Sequence, residues 1–143
     1  MEPHVFRINA EPAGMKRPRA VRTKTGVMMH NDTRHVSHYL KQLIQAAVRC
    51  RIRKPLTGPV AVQIAAWFTR PKNKVRKTLP MPAEWHLVKP DGDNIAKLVL
   101  DALNGIAWHD DNAVCELVVR KRICAGTDKG YLQIIIEQLE GKC

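Results

Sequence analysis

The chain has 143 residues, with 24 Lys and Arg against 13 Asp and Glu, for a formal net charge of +11. That length suits one domain, residues 1–143, able to bury a core without disulfide staples, and no apolar run is long enough to span a bilayer. The cationic excess points to a polyanion, foremost nucleic acid, with an anionic membrane or simple solubility as the weaker reading.

The first residues, MEPHV, lack the basic-then-apolar pattern of a secretion signal, so a cytoplasmic protein with reduced thiols is expected. The cysteines, Cys50, Cys115, Cys124 and Cys143, form no C-x-x-C pair. Neither a zinc knuckle nor a redox motif is suggested. The first three lie in apolar patterns and read as packing residues.

In chain order, residues 5–9 alternate weakly and predict a short strand. Residues 11–25 carry Pro12, Gly14 and Pro18 and predict a loop with Lys16, Arg17, Arg19, Arg22 and Lys24 on it. Asp32 or Thr33 offers a cap for a helix running to about residue 52. Its apolar stripe is Val36, Leu40, Leu43, Ala47 and Cys50. Residues 60–70 predict a long strand, with Val60, Val62, Ile64, Ala66 and Phe68 on one face. Residues 71–90 contain four prolines and predict a mobile loop. Asp93 caps a predicted helix over 94–104, closed by Gly105. Strands follow at 113–123 and 131–137, read as an antiparallel hairpin. The order β-α-β-loop-α-β-β makes a mixed sheet packed on helices, an α+β fold.

The carboxylates are unevenly spread. There is no Asp or Glu from residue 33 to residue 83, yet five of the thirteen acids fall within residues 90–111. Asp91 and Asp93 flank Gly92 at the mouth of the second helix, and Asp110 and Asp111 precede a strand. A loop-and-strand return is expected to bring Asp111 beside the first pair. Three carboxylates at one point repel unless a cation neutralises them. Magnesium suits such a site, with manganese as a substitute, because it takes a few carboxylates and keeps places for water and phosphate oxygens. Lys97 lies one turn beyond Asp93 and is placed to stabilise charge on a phosphate.

Each residue also has a plainer reading. Asp93 alone is an N-cap, Lys97 and Asp101 alone are a surface i, i+4 ion pair, and Asp110 with Asp111 alone is a solvated turn. An EF-hand is excluded, because Ala102 stands where the closing Glu belongs. Taken together on a basic background, the acids favour a metal-dependent phosphodiesterase site.

The residues Asp91-Gly92-Asp93-Asn94-Ile95-Ala96-Lys97, then Asp101-Ala102-Leu103, then Trp108-His109-Asp110-Asp111, resemble the core of the RusA-type crossover-junction endodeoxyribonucleases of phages and prophages. The resemblance implies a small homodimeric α+β nuclease that uses magnesium, binds a four-way DNA junction and nicks two opposing strands. It makes Asp91, Asp93 and Asp111 the catalytic metal-binding acids and Lys97 the catalytic lysine, with Asp110 a neighbour and not a ligand. The family's aromatic- and Asn-rich loop after the first strand is replaced here by the Lys/Arg-rich stretch 12–24.

Arg70, Lys72, Lys74, Arg76 and Lys77, with Lys16, Arg17 and Arg19, are the expected DNA contacts. Trp85 is read as a core plug, with stacking on an opened base as the alternative. His35 and His38 are read as surface residues, and His109 is given at most a proton-shuttling role. Two other functions compete with the nuclease reading. One is a junction- or DNA-binding protein without catalysis. The other is a nucleotidyl-transferase palm fragment, disfavoured by the absence of a phosphate-cradling Gly-rich loop.

Overall fold

The computed structural model describes residues 2–30, 36–50 and 52–141. In chain order these form β1 (His4–Ile8), β2 (Arg19–Thr23), β3 (Gly26–His30), α1 (Ser37–Arg49), β4 (Val60–Phe68), β5 (Glu84–Trp85), α2 (Gly92–Leu103), β6 (Val114–Ile123) and β7 (Tyr131–Gln138). The main sheet has five strands in the order β1-β7-β4-β6-β5. β4 runs parallel to β6 and antiparallel to β7, so the sheet is mixed and the class is α+β.

β4 takes the centre because it is apolar over most of its length, as a strand flanked on both sides should be. Val60, Val62, Ile64, Ala66 and Phe68 are all buried on one face. Leu132, Ile134 and Ile136 of β7 are also buried, as are Phe6 and Ile8 of β1. Over that face lie Tyr39, Leu43 and Ala47 of α1 and Ile95, Leu98, Val99, Ala102 and Leu103 of α2. Each large aliphatic side chain taken from water here contributes about 1.5–3 kcal/mol. Among the described residues no helix packs on the opposite face of the sheet.

Five expectations need correction. β6 and β7 do not form a hairpin, because β4 lies between them. Their link crosses the end of β4, where the Cys124 N–H donates to the Phe68 carbonyl (2.8 Å) and the Gly130 N–H donates to Thr69 Oγ1 (2.8 Å). Glu11 closes the same end by accepting from the Thr69 N–H (3.0 Å) and hydroxyl (2.8 Å). A Cβ on Gly130 would sit 2.7 Å from the Trp67 carbonyl, so this crossing needs glycine.

Second, the stretch expected to be loop continues into an antiparallel hairpin of β2 on β3, with Arg19 opposite His30. Neither strand turns an apolar stripe toward the core, so the pattern carried no strand signal. Third, α1 is shorter than expected. It begins at Ser37 with Val36 in the N-cap position, and its apolar stripe is the expected one plus Tyr39; Asp32 and Thr33 lie outside the described residues. Fourth, the 71–90 segment holds a short helical turn, Lys72–Lys74, and β5, which pairs with the edge of β6. Fifth, Cys124 is buried and Cys50 half-buried, but Cys115 is exposed, its thiol donating to the Ala113 carbonyl (3.5 Å); Cys143 lies outside the described residues. No helix among the described residues is long and apolar enough to cross a membrane.

Candidate active site

The site is built at the N-terminal mouth of α2. Asp91 is the N-cap residue, with extended backbone angles and a carbonyl that accepts from the Asn94 and Ile95 N–H groups (both 3.1 Å). Its side chain makes no cap bond, and the carboxylate is exposed. The expected cap, Asp93, therefore stands two residues later, in the first turn of the helix. Gly92 packs beside β6, where a Cβ would meet Val119 Cγ1 at an ordinary contact distance of 3.8 Å.

The basic loop docks onto this mouth. A Cβ on Gly14 would lie 2.9 Å from the Pro90 Cβ and 3.2 Å from the Asn94 Cβ, so only glycine allows the loop this close. The Met15 N–H donates to the Asn94 carbonyl (2.9 Å), and the Met15 side chain is buried. Arg17 Nη2 then donates to Asp93 Oδ2 at 2.8 Å. That guanidinium holds the Asp93 carboxyl below its ordinary range. Gly14, Lys16, Arg17, Arg19, Lys89 and Asp91 line a cleft of about 500 Å³, with Asn94 in its wall. Asn94 Oδ1 is buried and has no hydrogen-bond partner among the described residues.

Lys97 reaches the other way. Its Nζ donates to Asp101 Oδ2 at 3.0 Å, the i, i+4 pair that was the plainer reading of these two residues. Asp111 sits at the far end of α2. Its Oδ1 accepts from Trp108 Nε1 (2.8 Å), and Trp108 is fully buried and bridged to Asn104 just beyond the helix. The twelve residues of α2 span about 18 Å at the usual helical rise, which puts Asp111 and the Asp91–Asp93 pair at opposite ends. Asp110 makes an ordinary turn, accepting from the Asn112 N–H at 3.3 Å. Among the described residues no three His, Cys, Asp or Glu side chains are grouped so as to hold a metal ion. The convergence expected of Asp91, Asp93 and Asp111 is therefore absent within one chain. A three-carboxylate cage does not fit here: the mouth of α2 offers two acids, one already engaged by a cation.

The expected DNA contacts divide. Lys16, Arg17 and Arg19 line the cleft, and Lys72, Lys74, Arg76 and Lys77 are exposed on the loop before β5. Arg70 is not available to DNA. It is 6% exposed, donates to the Pro82 and Cys124 carbonyls and sits 3.6 Å from Glu84. It pins the loop to the sheet, a role that a run of charges conceals. Lys74 also pairs with Glu84 (3.3 Å), and this pulls the Glu84 carboxyl down in pKa. Trp85 is 62% exposed, so it is no core plug; Trp108 takes that role. His86 packs flat on Phe68 (centroids 3.6 Å apart), and burial lowers its pKa. His38 and His109 are exposed, and His35 lies outside the described residues.

Fold and site together define a small basic α+β domain that presents acids beside a cationic cleft, an arrangement suited to a protein that handles a polyanion. Comparison with known proteins gives that class a family. The family described as "Endodeoxyribonuclease RusA" matches residues 9–137, and the chain belongs to it. Membership carries the activity class, endodeoxyribonuclease of the kind that resolves Holliday junctions. The chain is also 32% identical over 126 residues to an uncharacterized protein, YqaN, of Bacillus subtilis (strain 168), a match covering 81% of this chain and 84% of that one.

Proposed function

We propose that this protein is a structure-selective endonuclease that resolves four-way DNA junctions in recombination and repair, cutting as a homodimer by paired symmetric nicks. A symmetric junction offers two equivalent scissile phosphates, and two copies of one site about a twofold axis serve both. The observation that carries this reading is the docking of the Gly14–Met15–Arg17 segment on the α2 mouth, which sets exposed acids against cations that a phosphate backbone would engage.

Asp91, Asp93, Lys97 and Asp111 are the proposed catalytic group. Resolvases of this kind are generally dependent on a divalent metal, and magnesium, with manganese in its place, is the proposed ion; Asp91 and Asp93 of one copy would hold it, and Asp111, which does not reach them within one chain, would come from the other copy of the homodimer. When bound, such an ion offsets negative charge at the attacked phosphate. Lys97 offers a positive charge one turn into the helix, and Lys16, Arg17 and Arg19 hold the strand by its phosphates. Arg17 has two competing anions, the Asp93 carboxylate and the DNA backbone, so strand binding frees Asp93.

Substituting Asp91→Asn and Asp111→Asn separately tests the assignment. Both variants are expected to lose junction cleavage while binding the junction at least as tightly as wild type, because repulsion of phosphate falls. Cutting by both at wild-type rates would show that the group is misassigned. Junction binding by wild type with no cutting under any divalent ion would favour the non-catalytic DNA-binding alternative.

A further inference from the structure

The bare face of the sheet carries a continuous row of rings and guanidinium groups, one from each strand. In sheet order they are Arg7 on β1, Tyr131 on β7, Trp67 on β4, Arg122 on β6 and Trp85 on β5. Arg7 lies over the Tyr131 ring, 3.8 Å from its centroid. Tyr131 stacks on Trp67 with centroids 5.9 Å apart and planes 21° off parallel. Arg122 lies 5.3 Å from the Trp67 centroid and 4.9 Å from that of Trp85. The register puts the row on one line: Trp67 is the partner of both Tyr131 and Arg122, and Trp85 is the partner of Arg122.

We propose that this row is a binding platform for an unpaired DNA strand, with bases stacking on Trp85 and its neighbours and phosphates meeting Arg7, Arg120 and Arg122. The proposal rests on the nuclease reading for the identity of the polymer, but it concerns a surface apart from the α2 mouth. Rings and guanidinium groups alternating along a groove are the two components that hold single strands without reading sequence.

Charge selects the occupant. Along this face Arg120 and Arg122 of β6 and Arg7 of β1 lie at or near the row, whereas Glu116 and Glu137 both pair with Ala61 at the opposite end of β4. A polyanion is thus drawn to the row end. A second copy packed here about a twofold axis would set like-charged guanidinium groups against one another and remove them from water, which is costly. Trp85 also starts the segment that leads through Pro90 to Asp91, and that segment is tied to the sheet edge by Lys121 Nζ donating to the Val88 carbonyl (2.7 Å). A strand on the row is therefore led toward the α2 mouth around the β5 edge.

The test uses the full chain in excess chelator, so that binding is read without cutting. A labelled oligothymidylate is titrated by fluorescence anisotropy, and the same oligomer carrying 5-iododeoxyuridine is photo-crosslinked and mapped by mass spectrometry. Crosslinks to Trp85, Trp67 or Tyr131 are expected. Trp85→Ala and Arg122→Gln are each expected to weaken oligothymidylate binding by about tenfold, the scale of one lost base stack. Trp85→Phe, which keeps a ring, is expected to restore most of it. Trp85 is exposed, so its replacement leaves the fold intact, and circular dichroism checks this. Wild-type crosslinks confined to other residues, with all three variants binding as tightly as wild type, would overturn the platform even if junctions are still cut. Variants that lose self-association but keep DNA affinity would overturn it in favour of a second copy. Failure of wild type to bind single strand, duplex and junction alike would overturn the nuclease reading along with it.

Discussion

The two ends of α2 carry similar acids put to different uses. At the N-terminal end Asp91 and Asp93 are exposed, with a cationic loop docked against them. At the other end Asp111 accepts from the indole of a fully buried Trp108. A helix start exposes unpaired N–H groups and favours anions, so acids there remain available to an incoming cation or strand. An acid bonded to a core indole is held in place. Acids alike in sequence can thus differ in role according to whether a core side chain restrains them.

That contrast can be broken experimentally, starting with the largest effect. Asp91→Asn is expected to lower junction cleavage by about a thousandfold, the scale of losing one preorganised electrostatic contact, while the thermal midpoint stays within a degree or two. A single-turnover cleavage assay beside a melting curve checks this. At the opposite end Trp108→Ala is expected to cost about 3–5 kcal/mol of stability by leaving a cavity, read by urea denaturation. A Trp108→Ala protein as stable as wild type would erase the difference between the two ends.

Arg17→Gln comes next. The Arg17–Asp93 pair is exposed, and such pairs add little to stability. The variant is expected to melt as wild type does and to bind junction several-fold more weakly at low salt, with a shallower dependence of affinity on salt concentration. Salt-titrated anisotropy measures both.

The smallest effect is one of pH. Burial against Phe68 holds His86 below its ordinary pKa near 6.5. The fold thus prefers the neutral ring. Its contribution is present in full above about pH 6.5, and it is lost as pH falls below that value toward the folded-state pKa. The thermal midpoint should fall over that window in wild type and fall less in His86→Phe. The His86 ring resonances should titrate below pH 6.5 by NMR.

Much of this was legible in the sequence. β7 alternates cleanly, β4 is apolar over most of its length, and both bury the residues that their period of two assigns. α2 buries Ile95, Leu98, Val99 and Ala102, the apolar side of the same helix whose other side carries Asn94, Lys97 and Asp101. Gly105 takes the left-handed angle (φ +76) expected of a helix stop. The D-x-D-N-x-x-K spacing led to the family that comparison then gave.

What escaped is non-local. Nothing in β6 or β7 alone says that β4 lies between them. The burial of Arg70 depends on carbonyls at residues 82 and 124, and the place of Asp111 depends on which way α2 and β6 run past each other. The row of Arg7, Tyr131, Trp67, Arg122 and Trp85 is scattered over residues 7–131 and exists only through strand order.

The most direct test of the cutting centre at the α2 mouth is a gel assay of a mobile four-way junction against linear duplex of the same sequence, each with magnesium and with excess chelator. The account predicts symmetric nicks on opposing strands of the junction in magnesium alone, and little cutting of the duplex. Cleavage that persists in chelator, or that treats duplex and junction alike, would contradict it.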